Sequence, residues 1–337
     1  MLSLREHVAM RAVERSFADR AASASSWDDL CLSFDAAVIP TFGRGRKLRD
    51  GDVDRIADAA RAGVESIAPL VVIDLRRAAT RGKPKGEARE ILCVAPHAAR
   101  EDGYNIVELC TVRVFVSRKR AVIETGSAAM RVTAHAMRRS VERGIVDERE
   151  GVEFRFARQM LDHAGMAVVA RALLPDGTLT TDDAMPMPFD DGLVLGRFMR
   201  GGEASFDRVV YDGTGRFPLP RPASRLITED PRAGGVSAVY RGATVIGCAE
   251  MSTQQGRLWE ALRGFWSRHR EVVAAAGEAV LWPGAEMRPP PPVDLDGAPF
   301  REAVAALRAI MTDPGLKARR GPQPRAAAGA AVAGAAA

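Results

Sequence analysis

Several familiar chemistries lack their motifs in this chain. The four cysteines, Cys31, Cys93, Cys110 and Cys248, are far apart and form no C-x-x-C pair. A structural zinc or a dithiol redox motif therefore has no support from spacing. Settings such as Ile-Leu-Cys93-Val and Ile-Gly-Cys248-Ala are those of small buried hydrophobes. There is no G-x-x-x-x-G-K-[ST] loop, no G-x-S-x-G elbow, no H-E-x-x-H and no dinucleotide fingerprint, so nucleotide, hydrolase, metalloprotease and dehydrogenase readings have no motif behind them. Long apolar runs are missing too: none approaches the roughly 18 residues of a membrane span. The first residues, Met-Leu-Ser-Leu-Arg-Glu-His-Val, carry charges where a secretory leader needs an apolar core. We expect a cytoplasmic protein without membrane contact, cofactor or metal.

What is present is an apolar fraction of 47%, ample for a large core, and a net charge of +5. The charge is unevenly placed. From residue 313 onward the tail carries four basic residues against Asp313. Between residues 113 and 143, Arg113, Arg118, Lys119, Arg120, Arg131, Arg138, Arg139 and Arg143 face only Glu124 and Glu142, an excess of six. A concentrated basic strip of this kind points to an RNA or DNA partner, or to an acidic protein partner.

Periodicity divides the chain. Residues 1–68 read as an N-terminal helical region: Ser3 and Glu6 suggest a capping box, a Ser-rich break follows at 23–26, and a short helix at 27–34 leads to a basic loop from Pro40. Asp52 can cap a further helix carrying Val53, Ile56, Ala60, Val64 and Ile67, which ends by Pro69. Residues 69–165 switch to strand periodicity at 70–75, 90–95, 106–116 and 121–125, the last two as a hairpin with Ser117-Arg-Lys-Arg120 at its turn. Thr133 then caps a helix to Arg143, with Gly144 closing it, and another helix fits 148–163. Residues 166–285 read as a second strand-rich region, with strands at 166–174, 192–199, 206–211 and 237–246, ending in a helix opened by the capping box Ser252-Thr-Gln-Gln255. Asp182, Asp183, Asp190 and Asp191 surround Met185-Pro-Met-Pro as an acidic loop without calcium-loop spacing. A Pro-rich linker and short helix fill 286–312, and the Ala/Gly-rich tail at 313–337 should be disordered. The fold class is α+β: a mixed or antiparallel sheet with flanking helices.

The helix after Thr133 is the candidate site. On it His135, Arg139 and Arg143 fall four apart and share one side, as do Arg138 and Glu142. A neutral imidazole can take the 2′-hydroxyl proton of RNA, while guanidinium groups hold phosphate oxygens and stabilise developing charge. His135, Arg139, Glu142 and Arg143 are thus catalytic candidates for metal-free RNA cleavage. Arg113, Arg118, Lys119, Arg120, Arg131 and Arg138 are nucleic-acid-binding candidates. The second proton donor would be Glu142 or His163. The alternative is a packed helix with His135 near its start, Glu142 paired with Arg138 and the remaining charges solvated. The rival function is a non-enzymatic interaction or regulatory protein whose basic strip meets an acidic protein partner, and an unrecognised small-molecule site within 166–285 is a third reading.

The 13 residues 133–145, Thr-Ala-His-Ala-Met-Arg-Arg-Ser-Val-Glu-Arg-Gly-Ile, resemble the T-x-H-A-x-x-R-x-x-E-R-G-I helix of small uncharacterised bacterial domains grouped with microbial-ribonuclease-like toxins. Thr133, His135, Ala136, Arg139, Glu142, Arg143, Gly144 and Ile145 carry the match. The resemblance implies a bacterial protein with ribonuclease-like chemistry at those positions.

Overall fold

A computed structural model describes residues 4–42, 48–77, 87–101, 104–147, 151–189, 191–200, 207–212, 238–281, 287, 294 and 297–316. Its centre is one mixed sheet of β1 (Val71–Arg77), β2 (Ala88–Glu101), β3 (Tyr104–Ser117), β4 (Arg120–Thr133), β5 (Met185–Phe189), β6 (Gly192–Arg200), β7 (Asp207–Asp212) and β8 (Ala238–Gly247). The order is β1-β2-β3-β4-β8-β6-β5, with β7 beside the first half of β4. Among the described residues only β4 and β8 run parallel, from Met130↔Tyr240 to Val132↔Gly242. The fold is α+β, as the alternation of helical and strand periods predicts.

Alternation along β2, β3 and β4 feeds two cores on opposite faces. Ile91, Cys93, Val112, Val114 and Ile123 meet helix α2 (Asp50–Ser66) and the C-terminal half of α1 (Leu4–Phe42), through Leu30, Phe34, Ile56, Ala60 and Val64. On the other face Leu92, Val94, Leu109 and Val132 join α4 (Val152–Arg171), α5 (Thr253–Arg268), α6 (Arg270–Leu281) and α7 (Ala298–Thr312). Fully buried side chains such as Phe34, Phe156 and Phe198 each contribute about 1.5–3 kcal/mol.

The structure corrects the reading in four places. α1 is continuous through the expected Ser-rich break: Ala12 and Val13 before it join the core of α3 and α4, and Leu30, Phe34 and Val38 after it join the core of α2, so anchoring on both sides outweighs the modest helix cost of serine. Residues 166–171, read as the start of a strand, continue α4, whose Ala164, Met166, Ala167, Val169 and Ala170 are all buried. A helix buried all round loses its apolar stripe, and a Val-Val pair then imitates a strand. A Cβ on Gly165 would lie 1.6 Å from the Val273 carbonyl oxygen, so only glycine lets α4 and α6 cross this closely. The expected 165/166 region boundary therefore falls inside α4, and β4 joins β8 across it.

Met185-Pro-Met-Pro is not a loop but the buried strand β5, paired among the described residues only with β6. Pro186 and Pro188 are two apart, so their missing N–H groups share the outer edge, where no ladder bond is lost. Tyr240 fixes this corner: its hydroxyl lies 3.0 Å from Met185 O and 3.2 Å from Val194 O. Lastly, the expected single helix opened at Ser252 is two, α5 and α6, parted at His269. The capping box that opens it is present, with Gln255 N donating to Ser252 Oγ and Ser252 N to Gln255 Oε1. Ser3, residues 43–47 of the expected basic loop, residues 78–86, residues 148–150, Asp190, most of the Pro-rich linker and the tail from 317 lie outside the described residues.

Candidate nucleic-acid interface

Helix α3 (Ala134–Glu142) begins where β4 ends. Thr133 Oγ1 accepts from Ala136 N at 3.2 Å and donates to Ala243 O of β8 at 3.2 Å, so the N-cap also ties the helix to the sheet. At the other end Gly144, at φ +66°, supports Gly144 N→Val141 O (3.0 Å) and Ile145 N→Ser140 O (2.9 Å). This paired closure is the Schellman pattern, and the left-handed backbone favours glycine there. Ala136, Met137 and Ser140 form the buried face, and α3 packs against α1 and β8.

The opposite side carries the candidate chemistry. His135 is exposed, with Nδ1 3.3 Å from Arg138 Nη2. Arg138 Nε is 3.2 Å from Glu142 Oε1, and Arg139 Nη1 donates to Glu142 Oε2 at 2.7 Å. Arg138 and Arg139 keep 39% and 36% of their side-chain surface in solvent. Arg143 is turned away: its Nε lies 2.5 Å from Glu250 Oε2, on the short 3-10 turn Cys248–Glu250. Partial burial, then the nearby Arg138 and Arg139, push the His135 pKa below its ordinary value, against the pull of Glu142. The shift favours the uncharged imidazole.

The other arginines of the basic strip do not join this face. Arg113 is buried between two carboxylates, with Nε donating to Glu90 Oε1 at 2.7 Å and Nη1 to Glu124 Oε2 at 2.7 Å. Arg131 is buried with Nε on Glu108 Oε2 at 3.0 Å. Arg118 and Lys119 are exposed at the β3–β4 turn, and Arg120 lies over the Phe115 ring at 5.0 Å. That turn and α3 stand at opposite ends of β4, whose 14 residues span on the order of 40 Å. The basic strip is thus divided into a hairpin tip, two buried ion clusters and the α3 face.

No family model, curated protein or solved structure matches the chain. The site is therefore judged on its own geometry. His163, the other proton-donor candidate, has Nδ1 2.9 Å from Gln159 O and stacks on Trp266 with centroids 6.1 Å apart. It lines an apolar cavity of ≈ 20 Å³ with Met130, Phe156, Met187, Phe189 and Tyr240. That space admits about one water, far below the volume of a small-molecule site. In the acidic loop, Asp183 is used locally, its Oδ2 accepting from Thr180 N at 2.9 Å and Thr180 Oγ1 at 2.7 Å. Sequence reasoning missed Glu90, Glu108 and Glu250, which hold Arg113, Arg131 and Arg143. All three pairings cross between elements, so no local spacing signals them.

Proposed function

We propose that this protein binds a nucleic-acid strand through the outer face of α3, with Arg138 and Arg139 on phosphate oxygens beside the ring of His135. The observation behind this reading is the fixed pair of half-exposed guanidinium groups that share the Glu142 carboxylate next to an exposed imidazole. A guanidinium has five N–H donors, and Glu142 and His135 engage only part of each set. Holding the forks in place lowers the entropy lost when phosphate binds. The likeness of residues 133–145 to the helix of the ribonuclease-like domains supports the same reading.

Binding is favoured over cleavage because both groups a cleavage reaction would use are engaged. Nδ1 of His135 faces an Arg138 N–H, and Glu142 is ion-paired with both Arg138 and Arg139. Fluorescence anisotropy of labelled single-stranded RNA should show binding that weakens with salt, the slope of log K against log [salt] falling in magnitude by about 1.4 in Arg138→Ala/Arg139→Ala. Equal affinity and slope in the two proteins would remove α3 from the interface. Incubation with labelled RNA in chelator should leave it intact; cleavage lost in His135→Ala would restore the catalytic reading.

A further inference from the structure

We propose that His97, Glu108 and Cys110 form a binding site for a divalent transition metal of the zinc type, clamping strands β2 and β3 at one end of the sheet. The proposal is independent of the α3 reading. His97 and Glu108 are direct cross-strand partners, and Cys110 follows Glu108 by two residues on the same strand, so all three side chains leave the same face. Their ligand atoms converge: His97 Nδ1 is 3.2 Å from Glu108 Oε1, Cys110 Sγ is 3.9 Å from the same oxygen, and all three atoms lie within 4.8 Å of one another.

The two separations to Glu108 Oε1 are close to the edges of a metal tetrahedron, and a small side-chain rotation would bring His97 and Cys110 together. With bonds of about 2.0–2.1 Å to nitrogen, 2.0–2.2 Å to oxygen and 2.3 Å to sulfur, the N···O edge is about 3.4 Å and the S···O edge about 3.6 Å. One imidazole, one carboxylate and one thiol form a mixed donor set that suits zinc-like ions rather than calcium or magnesium, which take oxygen ligands. Three protein ligands leave a fourth position for water, and His97, with 32% of its side chain exposed, provides the solvent side. Arg131 donates from Nε to Glu108 Oε2 at 3.0 Å, which orients Oε1 toward the other two ligand atoms. A carboxylate ligand anchored through its second oxygen is the usual outer-shell arrangement. The chain is irregular at the same place, the β3–β4 register shifting between Glu108 and Cys110, as bulges do where a side chain is re-aimed.

Binding would convert the Cys110 thiol to a thiolate, its proton passing to solvent. The absence of a C-x-x-C pair does not bear on this cluster, since strand register, not sequence spacing, assembles it.

The test is titration of the chelator-treated full-length protein with Co²⁺, followed by displacement with Zn²⁺. The expected result is one Co²⁺ per chain with a near-ultraviolet thiolate-to-cobalt charge-transfer band that Zn²⁺ abolishes. Cys110→Ser should lose the band and Cys93→Ser and Cys248→Ser keep it, while His97→Gln should weaken binding at least the roughly tenfold that loss of an outer-shell partner costs. Zn²⁺ should also slow alkylation of Cys110 in the unmodified protein, mapped by mass spectrometry, which needs no folded variant. No charge-transfer band in the folded protein, a band that persists in Cys110→Ser, or unchanged alkylation of Cys110 with Zn²⁺ would overturn the site.

Discussion

Arg113 and Arg139 are drawn from one basic stretch of sequence and end in opposite physical situations. Arg113 sits in the sheet with 9% of its side chain exposed and a carboxylate on each side, one of them fully buried. Arg139 sits on α3 with 36% exposed and shares one carboxylate with Arg138. The first arrangement offsets the cost of burying charge. The second leaves guanidinium donors in water beside an imidazole. Positive charge counted along a chain therefore overstates what reaches a ligand, and burial of the partners decides which arginines remain available.

The comparison should break first at the buried member. Arg113→Ala leaves Glu90 and Glu124 in the sheet without their shared guanidinium and should cost about 3–5 kcal/mol, read as a lower urea midpoint. Next comes the cap that seats α3: Thr133→Ala removes the acceptor for Ala136 N and the donor to Ala243 O, and should cost about 1 kcal/mol. The exposed arginines should change stability less. Arg138→Ala/Arg139→Ala should stay within about 1 kcal/mol of the parent, so a loss on the scale of Arg113→Ala would erase the distinction.

The smallest effect concerns His135. Because burial and the adjacent arginines lower its pKa in the folded protein, the unfolded chain takes up this proton at higher pH than the folded one. The His135 contribution to stability is then lost as pH falls below the ordinary imidazole value of about 6.5. In an NMR titration, His135 should titrate below that value, and Arg138→Ala should raise it. An unshifted His135, or one unmoved by Arg138→Ala, would contradict the packed arginine environment.

Local signals were legible where local chemistry decides the outcome. Thr133 and Gly144 bracket α3 as their residue types predict, and Ser252 and Gln255 open α5. The hairpin of β3 and β4 follows from alternating valines around a polar turn. What the sequence did not disclose depends on register and crossing. Arg113 looks like a surface cation until Glu90 and Glu124 are placed on either side of it. His97 looks partnerless until β2 aligns it with Glu108. α4 looks partly like a strand because its contact with α6 at Gly165 buries the face that would have shown a helical period. The candidate helix was thus found from its residues, and the division of its basic surroundings was not.

The most direct test sets the α3 face against the hairpin tip at the far end of β4. A short single-stranded RNA oligonucleotide, titrated by fluorescence anisotropy, should bind Arg118→Ala/Lys119→Ala nearly as tightly as the parent protein. It should bind Arg138→Ala/Arg139→Ala with most of the affinity lost. The reverse order, with affinity lost at the tip and kept on α3, would contradict the assignment of the interface to α3.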